Sequence, residues 1–194
     1  MSNVQSQFFL KNFIFFIFFA LLIALGVKFF LIEVFTVPTD SMLPSIPVGK
    51  KVMVLKFFFR LEKNNIVAFE KDHENFVKRL KGLPHDSVYF NISDRTFSLS
   101  KYEAPALFII PKKNDTVTFT RNNLPFYQKL IEKSENTVVA ELGDKIFVDG
   151  IETNQYIFKH NYYFLQGDNT VTSIDSRSFG LIPDNSIFGK IILL

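Results

Sequence analysis

Cysteine is absent from the 194 residues. That excludes disulfides, thiolate zinc sites and cysteine nucleophiles together. Histidine is scarce: His73, His85 and His160 form no i, i+4 pair and no His-Glu-x-x-His pattern. Zinc hydrolase chemistry therefore has no motif to rest on, and no metal is expected. A block of basic residues is also missing. The 22 Lys and Arg are scattered among 19 Asp and Glu, for a net charge of +3, so the footprint of a nucleic-acid partner is not there. No internal repeat, low-complexity tract or flexible linker interrupts the chain. With 47% hydrophobic and 21% charged residues, the composition is that of a folded protein. The length suits one ordinary domain plus an anchor, or one domain carrying a large insertion.

One long apolar run is present, and no second one of spanning length follows it. Residues 12–27 carry no charge, and after Lys28 the run continues to Ile32. As a helix rising ~1.5 Å per residue, Phe13 to Ile32 is long enough to cross a hydrocarbon core of ~30 Å. Lys28 lies near the far end, where its amine can snorkel to the headgroups. A cleaved signal peptide is the alternative, since Ala24 and Gly26 make a small-x-small pattern. The apolar run continues beyond them and the charged n-region is thin, so an uncleaved anchor is expected. Charge does not fix its orientation: Lys11 argues one way, and Lys50, Lys51 and Lys56 weakly the other.

Beyond residue 35 the chain reads as mostly β. Segments 48–57, 65–71, 75–83 and 87–92 have strand character, and 188–194 reads as a buried closing strand. Residues 145–153 carry Asp149-Gly150 between alternating residues, a strong hairpin signal. Residues 156–169 read as one more strand ending in a turn. The best helix candidate is 124–134, with Asn122-Asn123 ahead of it as a possible cap. Residues 93–144 have polar turns, that helix and no cluster of catalytic side chains. They read as an insertion between two parts of one core.

Three segments carry chemistry. In 35–54, Pro38, Pro44 and Pro47 hold Ser41 on a shaped loop. Ser41 lies six residues after Phe35 and so close to the bilayer. In 75–88, Lys78 is flanked by Phe76, Val77 and Leu80 and neighbours Arg79. A serine hydroxyl needs a base, and a lysine serves only when burial or a nearby cation keeps it neutral. In 164–183, Gly167-Asp168-Asn169 forms a turn. Ser173, Asp175, Ser176 and Arg177 then crowd together, a density that fits an internal hydrogen-bond network. Each segment alone also fits a blander role: a turn serine, a solvated lysine, a polar loop.

Taken in order, the anchor, PTDSMLPS (38–45), FVKRLKGLPHDSV (76–88) and GDNTVTSIDSRSFGLIP (167–183) resemble the bacterial type I signal peptidases. These are membrane-bound Ser/Lys proteases that remove signal peptides from exported proteins. The resemblance covers the anchor, residues 35–92 and residues 145–194, and family members vary in size where 93–144 lies. It implies a mainly β protein: a single transmembrane helix and tail (1–34), then a complex β catalytic domain (35–194) with a core of 35–92 and 145–194 and an inserted α+β segment at 93–144. It implies Ser41 as nucleophile and Lys78 as general base. Thr39 is implied as an oxyanion donor with the Ser41 N–H, Ser173 as a partner of the base, and Asp175 with Arg177 as a brace. Val37, Met42 and Val77 are implied to line small apolar substrate pockets. No cofactor is implied. The implied partners are signal peptides of exported preproteins, the lipid bilayer and, for delivery, the secretion machinery. The implied place is the bacterial cytoplasmic membrane, single-pass, with the N-terminus inside and the catalytic domain on the outer face.

Several positions depart from the family pattern. Asp40 stands where Gly is usual, Asn64-Asn65 replace Gly-Asp, Thr170-Val171-Thr172 replace Arg-Asp-Asn, and His85 replaces Gly. None removes a catalytic atom. They motivate two further readings: a peptidase specialised for one surface or pilin substrate, and a catalytically degraded relative that binds signal peptides. A Ser-His-Asp hydrolase is the rival enzyme, and it needs one of the three histidines beside a serine.

Overall fold

The computed structural model describes residues 2–57, 59–91, 96–100 and 106–193. A helix α1 (Ser2–Leu31) runs directly into β1 (Ile32–Thr36), so Ile32 opens a strand instead of closing the helix. The side chains of residues 11–23 project from α1 exposed. Those of residues 24 and 27–30, Lys28 among them, lie outside the described set. Among the described residues no helix is long and apolar enough to cross a membrane.

After β1 the chain forms β2 (Lys51–Leu55), β3 (Ile66–Lys71), β4 (Glu74–Gly82), β5 (Ser87–Asn91), β6 (Thr96–Ser98), β7 (Ala106–Ile109) and β8 (Thr116–Thr118). Helix α2 (Leu124–Ser134) precedes β9 (Val139–Leu142), β10 (Lys145–Val148), β11 (Ile151–Glu152), β12 (Gln155–Ile157) and β13 (Tyr162–Gln166). A short α3 (Ser176–Phe179), β14 (Ile182–Pro183), a 3-10 turn at Asp184–Ser186 and β15 (Ile187–Ile192) complete it.

The main sheet has seven strands in the order β1-β2-β15-β3-β4-β13-β14. The closing strand β15 lies inside it, third of seven and antiparallel to both β2 and β3, with Ile187, Gly189 and Ile191 buried and Phe188 and Lys190 half-buried. One face packs Val37, Met42, Ile46, Val52, Val54, Ile66, Ala68 and Ile191 into a core, and Val77 rests against it. Val67, Phe69, Leu80, Tyr163, Leu165, Ile182 and Ile187 form a second core.

The 93–144 region builds small sheets that flanking strands complete: β6-β5-β7, β12-β8 and β11-β10-β9. Helix α2 has the predicted bounds. Pro125 sits in its first turn, and it buries Leu124, Phe126, Tyr127, Leu130 and Ile131 against a core rich in Phe and Tyr. The side chain of Asn123 makes no cap bond to the helix. It braces the preceding turn instead, accepting from Thr120 N–H and donating to Thr118 O. The expected hairpin at 145–153 forms, with Asp149 and Gly150 both at positive φ. The strand expected over 156–169 is two strands. Lys159 N–H turns to the buried Glu135 carboxylate, on which Tyr156 and Tyr162 also converge. That contact breaks the run and sends β12 to a side sheet and β13 to the main one.

Candidate functional site

Strand β4 alternates at its far end, with Lys78, Leu80 and Gly82 buried and Arg79 and Lys81 half-exposed. Lys78 stands opposite the fully buried Val67 on β3 and is itself 3% exposed. Its amine has one described polar target, Ser41 Oγ, at 2.6 Å. As an ammonium it donates to that oxygen; as a neutral amine it accepts the hydroxyl proton. Burial holds the Lys78 amine below the ordinary lysine range. Asp175 works against that shift, Arg177 with it and Asp40 against it.

Ser41 comes from the turn between β1 and β2 and is 7% exposed. The turn is tied down: Val37 N–H donates to Lys50 O, and Ile46 N–H to Met42 O. Thr39 Oγ1 lies 3.2 Å from Ser41 Oγ. The two hydroxyls and the amine thus meet around Ser41 Oγ, beside β4 of the main sheet.

The third segment closes over this point. Asn169 N–H donates to Ser41 O at 3.1 Å, and Asn169 Nδ2 to Asp40 O at 3.3 Å. Asp175 is fully buried and accepts from Gly167 N–H at 2.9 Å. Arg177 grips both its oxygens, Nε on Oδ1 at 2.8 Å and Nη2 on Oδ2 at 3.0 Å, and also reaches Thr170 O and Ser173 O. Burial pushes the Asp175 carboxyl up, but Arg177 and the Gly167 N–H outweigh it and hold it below the usual range. Among the described residues Ser173 Oγ is buried and makes no hydrogen bond of normal geometry, though it lies near enough to Asp175 to help hold that carboxyl down. Gly167 is the keystone. A Cβ there would lie 2.1 Å from Ser173 Oγ and 2.6 Å from Ser41 O, so only glycine lets these two segments approach.

Sequence reading missed a second brace. Arg79 forms a bidentate pair with Asp168, both contacts at 2.6 Å, and extends to Asn64 O and Ser45 Oγ. It joins the nucleophile's loop, β4 and the 167–169 turn. The residues lie 89 positions apart, and no local pattern links them. Of the three residues expected to line substrate pockets, Val37 and Met42 are core residues, 3% and 0% exposed, and Val77 packs on the same cluster.

The departures have physical readings. Asn64 and His85, both in positions where glycine was expected, have φ of 71° and 73°. That region suits glycine and is tolerated by Asn and His. Thr170-Val171-Thr172 is an exposed turn whose Thr170 carbonyl serves Arg177. The histidines lie elsewhere: His73 at the exposed β3–β4 turn, His85 beside Asp115, His160 beside Asp184. No serine is bonded to any of them among the described contacts. Among the described residues no group of three His, Asp or Glu could hold a metal.

Comparison with known proteins follows the same lines. A family model described as "Signal peptidase, peptidase S26" matches residues 10–194. The chain is 25% identical to the Signal peptidase I of Buchnera aphidicola subsp. Baizongia pistaciae, over 90% of this chain and 73% of that protein. It is 26% identical to the Signal peptidase I of Pseudomonas aeruginosa, over 88% of this chain and 66% of that protein. It is 29% identical to the Signal peptidase IB of Staphylococcus aureus, over 84% of this chain and 76% of that protein.

Proposed function

Because this chain belongs to the bacterial type I signal peptidases, serine endopeptidases by family, we propose that it cleaves signal peptides with Ser41 as nucleophile and Lys78 as general base. The observation that carries this reading is the 2.6 Å contact between Lys78 Nζ and Ser41 Oγ in a dry setting. A buried amine with a lowered pKa can be neutral when the reaction needs it. It then takes the Ser41 proton as Oγ attacks the scissile carbonyl. The resulting oxyanion is held by the Ser41 N–H and the Thr39 hydroxyl, each donor contributing ~3 kcal/mol. The Lys78 ammonium returns the proton to the departing amine. In the second half Lys78 activates water against the acyl-enzyme.

Asp175 and Arg177 brace the wall behind the base, and Arg79 with Asp168 fixes the loop that carries Ser41. Ser173, whose hydroxyl makes no hydrogen bond of normal geometry, is the group available to orient Lys78 during turnover. Val77, partly exposed and packed on the buried Val37 and Met42, is the apolar surface of this group over which small side chains before the cut would lie. No cofactor enters. The chain divides into an anchor in 1–34 and a catalytic part in 35–194, with a core at 35–92 and 145–194 and an insertion at 93–144, and residues 32–34 at the junction already pair with β2 in the main sheet. Residues 13–31 span the cytoplasmic membrane once, the N-terminus lies inside, and the catalytic part meets preproteins on the outer face as the secretion machinery delivers them.

The dyad's hydrogen-bond distance favours this enzyme over a degraded relative that only binds signal peptides. Asp40 beside the nucleophile keeps open the specialised peptidase that cuts one surface or pilin substrate. The test is cleavage of a preprotein by membranes carrying the wild-type chain, Ser41→Ala or Lys78→Ala. Both variants should leave the precursor uncut. Wild-type cleavage by Lys78→Ala would remove the dyad.

A further inference from the structure

Asp40 precedes the nucleophile and its carboxylate has no work in the scheme above. Its backbone is fixed, the carbonyl accepting from Leu43 N–H at 3.0 Å and from Asn169 Nδ2 at 3.3 Å. The residues on either side, Thr39 and Ser41, bring their hydroxyls to 3.2 Å. Asp40 is half-buried, and among the described residues its carboxylate has no hydrogen bond or ion pair.

Of the charges that bear on Lys78, all but Asp40 are paired. Arg177 closes on Asp175, and Arg79 on Asp168. Lys78 in its working form is neutral. Among those charges the unpaired one is Asp40, which opposes the lowering of the Lys78 pKa; Lys50, Lys51 and Lys81 of the same segments are not among the charges that bear on Lys78.

We infer that Asp40 selects for charge in the residues just after the cut, favouring Lys or Arg and disfavouring Asp or Glu at the first two positions of the released chain. This rests on Ser41 being the nucleophile. The scissile carbon must reach Ser41 Oγ, so substrate residues within two positions of it lie within ~7 Å along the chain. In the proposed reading those before the cut lie over Val77, which packs on the buried cluster of Val37 and Met42, and Asp40 does not belong to that cluster. The carboxylate is left to the departing side. It needs no partner displaced, and in a half-buried setting its field is screened less than in bulk water.

Two peptide substrates test this, identical except for Lys or Glu at the second position after the cut, with the full chain in neutral detergent micelles. At low salt kcat/KM should favour the Lys peptide about tenfold. The ratio should shrink at high salt, fall to about one in Asp40→Asn and persist in Asp40→Glu. Asp40→Asn also lowers the Lys78 pKa, but that affects both peptides alike and leaves the ratio untouched. A wild-type ratio near one, or a ratio retained in Asp40→Asn, overturns the assignment. Should Asp40→Asn cut neither peptide, the wild-type ratio and its loss with salt decide. Cleavage that survived Ser41→Ala would instead overturn the parent reading.

Discussion

At the scale of single residues, Lys78 is where function and stability oppose each other. A lysine 3% exposed beside Val67 is held below its ordinary pKa chiefly by burial. The folded state therefore binds this proton less tightly than the unfolded chain does. The group's contribution to stability is complete above the ordinary lysine pKa and is lost as pH falls through the lowered one. Lys78→Met should fold more stably near neutral pH, by roughly 0.5–2 kcal/mol, while cleavage drops by about three orders of magnitude or more. Chemical denaturation and peptide kinetics on one preparation check both. The same shift sets the acid limb of kcat/KM. Activity should rise with pH as Lys78 loses its proton, and Asp40→Asn should move that limb to lower pH, since Asp40 now opposes the shift. Gly167→Ala drives a methyl into Ser173 Oγ and Ser41 O. It should cost about 1–3 kcal/mol and lower kcat more than it raises KM. Ser41 and Lys78 could be singled out in the sequence only through the order of the three segments, since each segment alone fits a blander role, a turn serine or a solvated lysine. Arg79–Asp168 and the Asn169 clamp were not legible, since their partners meet only after the sheet forms.

At the scale of elements, turn chemistry explains what was legible and what was not. The 145–153 hairpin announced itself through Asp149-Gly150, both at positive φ. The β3–β4 hairpin turns on Asp72 and His73, also at positive φ, and lacks the glycine that would mark it. His73→Gly should relieve that strain and stabilise the protein by about 1 kcal/mol, raising Tm by a few degrees with cleavage unchanged. Helix α2 was readable as a segment after Asn122-Asn123, although Asn123 makes no side-chain cap bond to it. The strands of 93–144 were harder, being three or four residues long and paired with partners outside the region. The division at 158–162 had a local mark in the polar run Lys159-His160-Asn161 between Phe158 and Tyr162, but a polar run alone does not say where each half pairs. Only the folded position of Glu135 shows why the backbone must turn there.

At the scale of the whole molecule, α1 and the site belong to one continuous path. The helix runs straight into β1, and six residues after Phe35 the chain reaches Ser41. In the proposed arrangement the nucleophile works at the bilayer surface, where signal peptides emerge. The full chain should resist alkaline extraction from membranes, whereas a chain starting at residue 32, which keeps β1 whole, should be released and cut preproteins in membranes far less efficiently. The central claim is that Lys78 activates Ser41. Its most direct measurement is intact-mass and peptide mapping of the membrane-bound chain after reaction with an acylating serine-protease inhibitor. The account predicts a single adduct on Ser41, absent in Ser41→Ala and formed about a thousandfold more slowly in Lys78→Met. An adduct on another residue, or equal labelling rates in wild type and Lys78→Met, would contradict it.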